Sequence, residues 1–381
     1  MKGHTPVSGA MFYVIDVEDR IRVDHPLRAI KRVVDEILRE LGPLLASCYS
    51  DRGRPSVPPE VLLKALLLQC LYSVRSERQL VERLDTDLLF RWFCGLDPAE
   101  AVFDATAFTH NRPRLDAGGV TGAFFAAVRS RTIDAGLASD EHFSVDGTLI
   151  ESRASIKSFR PIDHETHGDD SNGFKPRNAE VDFRGERPSN ATHRSRTDPE
   201  ARLYRKSRGH EARLSHLAHA ISENRHGLVM AVDVTEASGR AECAAAITML
   251  DDLLAHEVRP ATLGADRGYD SGPCMIETES RGVMPHTAMR SGVIGGAKNS
   301  RRRPADRPLI EARRRMNRRT RTAAYRLSQR ARKKIEEAFA WCKTIAGLAR
   351  ARHVGRWKIK QQLELAAAAF NLVRMRNLLR G

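Results

Sequence analysis

The sequence has few cysteines, and none lies in a motif that usually binds zinc or forms a disulfide framework. Its six cysteines are scattered over 381 residues without a Cys-x-x-Cys pair. This spacing argues against a zinc finger and favours free thiols in a reducing compartment. Long apolar runs are also missing: no stretch reaches the length of a membrane span, and residues 1–9 lack the apolar core of a signal peptide. We therefore expect a soluble, cytoplasmic protein.

Acidic residues are fewer than basic residues in this sequence. Lys and Arg number 63 against 48 Asp and Glu, which gives a net charge of +15 and a pI near 9.9. This excess favours a protein that binds a polyanion, although ribosomal and membrane-surface proteins share it. Hydrophobic residues make up 41% of the chain, which suffices for an ordinary core. The length predicts two domains, or one domain with large insertions.

The first third of the chain has the periodicity of helices. Apolar residues recur at helical spacing over residues 26–41, and residues 58–59 are prolines that begin a second helix. A break at residues 73–75 precedes Ser76, which forms a capping box with Gln79 at the start of a third helix. This pattern fits a DNA-binding helix-turn-helix, and a plain helical bundle with a solvated basic face fits it equally well. The candidate DNA-binding residues of this motif are Arg75, Arg78 and Arg83.

From about residue 137 the pattern changes to strands that alternate with helices, which predicts an α/β domain. We accordingly expect a helical domain over residues 1–136 and an α/β domain over residues 137–381. The polar segment at about 155–212 is predicted to be an irregular insertion. Strands are predicted at 143–149, 214–221, 228–234, 261–265 and near 283, and helices at 241–254, 325–348 and 361–379.

Two acidic residues are associated with these strands. Asp146 lies on the polar side of the first strand, and Asp266 follows the strand over 261–265 at its carboxyl end, where ligands gather in open α/β sheets. Singly, each would more often be a turn residue or a helix cap. Converging carboxylates can instead hold divalent ions such as Mg²⁺. Two such ions activate the attacking oxygen and stabilise the leaving oxygen of a phosphodiester.

Helix geometry favours Glu336 as a third acid. At about 100° per residue, Glu336 borders an apolar stripe that would dock on the sheet, whereas Glu337 points about 100° further round, toward solvent. Gln329, Glu336 and Lys343 fall within roughly 60° of one another on the same helix. An ordinary amphipathic helix with an Arg332–Glu336 pair fits the spacing as well, so geometry alone does not decide.

The segments around the three acids resemble motifs of the DDE transposases of bacterial insertion sequences. Residues 143–151 resemble the first Asp motif of that family, and residues 265–270 resemble the second. Arg332-x3-Glu336-x6-Lys343 resembles the third, in the group with the signature Tyr-x2-Arg-x3-Glu-x6-Lys, and Gln329 stands where that signature has Tyr. Further similar blocks follow in the family's order at residues 53–59, 75–80, 89–93, 189–193, 223–228 and 370–374.

The resemblance implies a ribonuclease-H-like fold, with a mixed sheet flanked by helices, preceded by an all-α domain that binds DNA. It also implies cleavage at the terminal inverted repeats of an element, followed by attack of the freed 3′-hydroxyl on target DNA. Asp146, Asp266 and Glu336 would be the catalytic ligands of two Mg²⁺ ions, which Mn²⁺ could replace. Asp146 would hold both ions and the other two acids one each, while Arg332 and Lys343 would contact phosphate.

The same resemblance carries expectations about partners. Joining two element ends implies at least a homodimer on DNA, and a DNA-bound protein would be associated with the nucleoid. The alternative is a DNA-binding regulator, derived from a transposase, that has lost catalysis.

Residues 298–333 are dense in arginine, with thirteen between Arg301 and Arg332. This segment fits either a disordered, solvated stretch or a clamp on the DNA backbone. We favour the clamp, because the protein would have to hold two DNA ends. Its candidate contacts are Arg313, Arg314 and Arg318.

Two other features have simpler interpretations. The histidines of residues 164–167 lie in the polar insertion and are expected in a solvated loop, not at a metal site. Trp341 could stack on DNA or pack beneath the C-terminal helix, and packing is the commoner fate.

Overall fold

The computed structural model describes residues 16–50, 52–53, 55–162, 188–205, 211–239, 241–290 and 307–380. In the first part of the chain the described residues form helices, as the sequence predicts. They are α1 Val17–Arg20, α2 Pro26–Glu40, α3 Gly42–Ser47, α4 Pro59–Leu71, α5 Glu77–Thr86, α6 Leu88–Cys94, α7 Thr106–Ala117 and α8 Val120–Asp134.

Strands and helices alternate in the rest of the chain. The strands are β1 His142–Glu151, β2 Phe159–Pro161, β3 His193–Ser195, β4 Arg202–Tyr204, β5 Arg213–Glu223, β6 Val229–Glu236, β7 Thr262–Ala265 and β8 Met284–Thr287. The helices are α9 Ala241–Ala255, α10 Gly272–Ser280, α11 Arg307–Arg319, α12 Ala323–Ala331, α13 Lys334–Thr344 and α14 Arg356–Leu378.

The main sheet is mixed, with the strand order β6-β5-β1-β7-β8. β5 is antiparallel to both β1 and β6, whereas β1, β7 and β8 run parallel to one another. The short strand β4 extends the sheet beside the beginning of β5. Together with the flanking helices and the helical first part, this sheet confirms the predicted α/β, ribonuclease-H-like fold.

One hydrophobic core joins the helical first part to the sheet. It contains buried residues of α2, α4 and α8 together with residues of β6, α13 and α14. Helix α14 lies at its centre, because most of its side chains from Ile359 to Met375 are buried. Asn371 fixes this helix to the sheet by accepting from the Val229 N–H at 2.9 Å and donating to the Val229 carbonyl at 2.7 Å. The division at residues 136 and 137 stays a prediction.

The structure differs from the expected pattern in two places. The helix expected over residues 325–348 is two helices, α12 and α13, with a break at residues 332–333. Part of the segment expected to be irregular forms β2, β3 and β4, whose three-residue lengths are too short to show periodicity. Buried Asp198 ties that segment to the sheet through a 2.8 Å contact with His216 of β5. Residues 164–167 lie outside the described residues.

Among the helices that the structure describes, none combines the length and the apolar character needed to cross a membrane.

Candidate active site

The register of two parallel strands places Asp146 beside Asp266. In the pairing of β1 with β7, residues 142–144 stand opposite residues 262–264. Two further residues along each chain lead to Asp146 and Asp266. Because neighbouring strands lie about 4.8 Å apart, the register puts Asp146 and Asp266 side by side on the adjacent strands β1 and β7. Both aspartates predicted from the strand pattern therefore lie at the same site.

Asp146 is a partly desolvated carboxylate. Its Oδ1 accepts a hydrogen bond from the Gly147 N–H at 2.8 Å, and its Oδ2 lies 3.5 Å from Nη1 of Arg332. Burial raises the pKa of Asp146, and the negative charges of Asp266 and Glu336 raise it further, against the lowering effects of Gly147 and Arg332. The site therefore holds this acid in an environment short of positive charge.

Asp266 also has the local role that the simpler interpretation of the sequence assigned to it. Its side chain accepts from the Gly268 N–H at 2.7 Å and so caps a short 3-10 turn over residues 267–269. Capping of this kind uses one carboxylate oxygen. The cap and a ligand role are compatible, because a carboxylate has further lone pairs to offer.

Glu336 faces the two aspartates from α13. Ile335, Ala338, Phe339 and Cys342 dock this helix on the rest of the molecule, and Glu336 borders that buried face. With Asp146 and Asp266 it lines a cavity of about 540 Å³, which we call the carboxylate pocket. Glu337 lies elsewhere, because its carboxylate forms an ion pair with Nη1 of Arg374 at 3.2 Å. The orientation that helix geometry favoured is the one in the structure.

A fourth acid, Glu242, lines the carboxylate pocket and was missed in the sequence. It belongs to the first turn of α9. A Cβ atom at Gly147 would lie 3.6 Å from one Glu242 carboxylate oxygen, and a Cβ atom at Gly268 would collide with the other. The Glu242 carboxylate therefore lies beside both Gly147, which follows Asp146, and Gly268, whose N–H donates to Asp266. Burial raises its pKa, and the charges of Asp266 and Asp146 raise it further.

No local signal distinguishes Glu242 in the sequence. An acid in the first turn of a helix is ordinarily explained by its favourable interaction with the helix dipole. Only the packing of α9 against β5, β6 and the 3-10 turn brings it to the aspartates.

Tyr269 lies under the same carboxylates. It is 1% exposed, and its hydroxyl has no hydrogen-bond partner among the described residues. Burial raises the pKa of its phenol far above the ordinary value, and the charges of Glu242, Asp146 and Asp266 add to the effect. Since buried hydroxyls usually have a partner, this orphan group fits a pocket that accommodates a polar ligand beside the carboxylates.

The donor set of the pocket suits a hard divalent cation. Mg²⁺ prefers carboxylate oxygens and keeps several waters, so a few acids at one end of an open cavity are an appropriate ligand set. In the described residues, however, no three His, Cys, Asp or Glu side chains stand close enough together to hold one ion as they are. The acids would therefore have to approach one another when a cation neutralises their repulsion.

The two cations expected to contact phosphate lie beside the acids. Lys343 lines the carboxylate pocket on nearly the same face of α13 as Glu336, about two turns further along the helix. Arg332 follows α12 directly and has a buried Nε without a hydrogen-bond partner among the described residues. Gln329, at the position of the signature tyrosine, donates through Nε2 to the Ala265 carbonyl at 3.2 Å and to the His286 carbonyl. This glutamine therefore joins α12 to the ends of β7 and β8.

The predicted basic residues of the helical part are exposed. Arg75 lies in the turn between α4 and α5, and Arg78 and Arg83 lie on α5. The Arg83 guanidinium also stacks over Phe90, 5.5 Å from the ring centre. Ser73 fixes the turn to the end of α13 by donating to the Ile345 carbonyl at 2.8 Å. The turn is therefore held against the helix that carries Glu336.

The arginine-dense segment is helical where the structure describes it, and part of its charge is neutralised internally. Arg313 of α11 pairs with the buried carboxylate of Asp270 at 2.9 Å. Arg315 and Arg319 both contact Glu279, each at 2.6 Å. The candidate contacts Arg314 and Arg318 are exposed.

Trp341 packs within the protein. Its ring meets Phe370 of α14 edge to face, with 5.8 Å between ring centres. This arrangement is the packing beneath the C-terminal helix that the sequence left as one of two possibilities.

Comparison with known protein families adds to this geometry. Residues 15–114 match the family model described as Transposase domain (DUF772), and residues 139–372 match the one described as Transposase DDE domain. Neither the curated proteins nor the solved structures that were searched contain a match. The second match covers more than half of the chain and includes every residue of the carboxylate pocket. The chain therefore belongs to the DDE-domain transposase family.

Proposed function

We propose that this transposase cleaves DNA at the terminal inverted repeats of an insertion sequence and transfers the freed 3′-hydroxyl into target DNA. The observation that carries the proposal is the convergence of Asp146, Asp266 and Glu336, from two strands and a helix, on one cavity. Acids on strands and a helix are directed to one place by the fold, and phosphoryl transfer requires such positioned catalytic groups.

Asp146, Asp266 and Glu336 are the residues that would hold two Mg²⁺ ions, or Mn²⁺ in their place. The ions would supply activation of the attacking oxygen and stabilisation of the leaving oxygen. The charges of both Asp266 and Glu336 act on Asp146. This supports Asp146 as the carboxylate that both ions would share.

Arg332 and Lys343 would orient the phosphate. The unpartnered Nε of Arg332 supports this role, because a phosphate oxygen could accept from it. Arg332 also lies near Asp146, so it can position that carboxylate before DNA binds. Because two element ends must be joined, we expect at least a dimer when the protein is assembled on DNA.

The test uses DNA of the element that encodes the chain. Short inverted repeats in the flanking DNA would supply the substrate, and labelled ends would be incubated with the protein and Mg²⁺, Mn²⁺ or EDTA. We expect cleavage and joined products with either metal and none with EDTA. Asp146→Asn and Asp266→Asn should abolish both reactions while DNA ends still bind.

Two outcomes would contradict the proposal. Binding of the ends without any cleavage by the unaltered chain would favour a regulator that has lost catalysis. Cleavage without joined products would indicate a nuclease that lacks strand transfer.

A further inference from the structure

A second pocket contains an unusual concentration of arginine. It has a volume of about 580 Å³ and lies between the turn that precedes α5, the segment that follows β1 and the loop between α13 and α14. We call it the arginine pocket. Its cationic lining residues are Arg75, Arg153, Arg350 and Arg352.

The acids near the arginine pocket do not neutralise it. Glu77, which also lines the pocket, is engaged by the buried guanidinium of Arg112. Glu151 pairs with Arg213 at 3.0 Å and lies 3.9 Å from Arg350. The four guanidiniums of the lining therefore exceed the negative charge available to them.

Backbone contacts hold two of these arginines in place. Arg153 donates through Nη1 to the Arg352 carbonyl at 3.1 Å, and Arg350 donates through Nε to the Ser152 carbonyl at 3.4 Å. A guanidinium has five N–H donors. Each side chain is thus oriented by one or two contacts and keeps donors for a ligand.

The pKa of His353 is affected by the positive charges around the arginine pocket. Its pKa is lowered to about 3, first by burial and then by cations that include Arg112, Arg352 and Arg153. The neutral histidine adds no charge to the site, so the surplus comes from the guanidiniums.

An independent feature points to an anionic ligand. Gln69 is 4% exposed and lines the pocket, and its Nε2 donor has no partner among the described residues. An unsatisfied buried donor costs free energy unless a ligand accepts from it. The start of α5, capped by Ser76, faces the same cavity and adds the positive end of a helix dipole.

We propose that the arginine pocket binds a phosphate of the DNA backbone and thereby holds the helical part and the catalytic sheet on one DNA strand. This inference rests on the proposed function, because it takes DNA as the polyanion. Guanidiniums, a helix start and a buried amide are the donors that phosphate oxygens accept from.

The position of the arginine pocket relative to the carboxylate pocket fits a continuous DNA path. The carboxylate pocket follows β1 from Asp146 to Leu149 and α13 from Glu336 to Lys343. Five residues of β1 separate Asp146 from Glu151, which is about 16 Å at 3.3 Å per residue. Arg153 follows that end of β1 by two residues, and Arg350 lies beside it, where Glu151 and Arg350 form a β-bridge. At 3.4 Å per base pair, this separation corresponds to about five base pairs.

The test measures DNA affinity without catalysis. Anisotropy of a fluorescent duplex would be recorded over a range of salt concentrations, in EDTA, with the full-length chain. The double variant Arg153→Gln, Arg350→Gln should lower the slope of log affinity against log salt by about 2, since each phosphate contact contributes about one unit. The control pair Arg39→Gln, Arg259→Gln removes the same charge from exposed positions elsewhere and should leave the slope unchanged.

The substitution Gln69→Leu distinguishes a role of Gln69 in DNA binding from a role in folding. It removes the orphan donor, so the free chain should melt at the same temperature or higher while its DNA affinity falls. A decrease in both would indicate a purely structural glutamine and would remove it from the proposed site.

Two results would overturn the proposal. One is a slope for the arginine-pocket double variant equal to that of the control pair. The other is tight binding of inorganic phosphate to the pocket, by calorimetry, with unchanged duplex affinity of the double variant. If the double variant has the control slope but the unaltered chain cleaves its ends normally, the arginine pocket is refuted and the transposase reaction is not.

If the double variant has a lowered slope but the unaltered chain never cleaves its ends, the transposase reaction is refuted, whereas the phosphate contact at the arginine pocket is supported.

Discussion

The carboxylate pocket and the arginine pocket concentrate opposite charges at the middle of β1 and beyond its C-terminal end. The first gathers Asp146, Glu242, Asp266 and Glu336, and the second gathers four arginines. A buried polar atom without a partner among the described residues accompanies each pocket: the Tyr269 hydroxyl, near the acids of the first, and Nε2 of Gln69, in the lining of the second. In both places the chain keeps like charges together that an ordinary fold would pair or disperse.

Clustered like charges and buried polar atoms without partners mark a ligand site in the free protein. Like charges and orphan polar atoms lower the stability of the free protein. A cation at one pocket and a phosphate at the other would each remove the unfavourable terms. Substitutions that reduce the charge of a pocket should therefore harm function more than they harm folding.

The largest effect is expected from Glu336→Gln. If Glu336 holds a catalytic ion as proposed, its loss should lower the cleavage rate more than about 100-fold. The matched control is Glu337→Gln, which removes an exposed ion pair with Arg374 and should change the rate by no more than about threefold. Single-turnover cleavage of end DNA in Mg²⁺ measures both. If Glu337→Gln is inactive and Glu336→Gln cuts normally, the third acid has been assigned to the wrong residue.

A smaller effect on rate is expected from Glu242→Gln, together with an increase in stability. Removing one of four neighbouring acids relieves repulsion, so the metal-free chain should melt at a higher temperature. If Glu242 helps to hold the cation, the same variant should bind Mn²⁺ more weakly and cleave about tenfold more slowly.

The control for Glu242→Gln is Glu60→Gln, which removes an acid from the first turn of α4. Both substitutions lose a similar interaction with a helix dipole. Titration of Mn²⁺ by electron paramagnetic resonance distinguishes them independently of activity. Equal Mn²⁺ affinity of the two variants would show that Glu242 is not a ligand.

Local patterns made three of the four acids candidates, and the resemblance of the surrounding motifs to the transposase family joined them into one predicted site. Strand alternation placed Asp146 on a polar face, and the end of a strand marked Asp266. Helix periodicity chose Glu336 over Glu337, and the structure has the same orientation. Glu242 could not be found in this way, since its distance from the aspartates depends on how α9 packs on the sheet.

The arginine pocket shows the same limit more strongly. Arg75, Arg153 and Arg350 belong to three segments far apart in sequence, and no local pattern connects them. The conspicuous cluster in the sequence was the arginine-dense segment instead. Its Arg313, Arg315 and Arg319 are largely occupied by acids of the same chain. Density along a sequence is therefore a poor measure of the charge that remains for DNA.

The smallest effects should separate Arg313 from its neighbour Arg314. Arg313→Gln would leave the buried carboxylate of Asp270 with the Arg290 N–H at 2.9 Å but without its cation, which should lower the free energy of unfolding by about 1–2 kcal/mol. Arg314→Gln, at an exposed position on the same helix, should change that free energy by less than about 0.5 kcal/mol. Urea denaturation measures both. If α11 clamps DNA, Arg314→Gln should also reduce the salt dependence of binding by about one unit, as expected for one phosphate contact. Equal destabilisation by the two variants would mean that the Arg313–Asp270 pair contributes nothing to the fold, and the contrast between paired and available arginines would lose its basis.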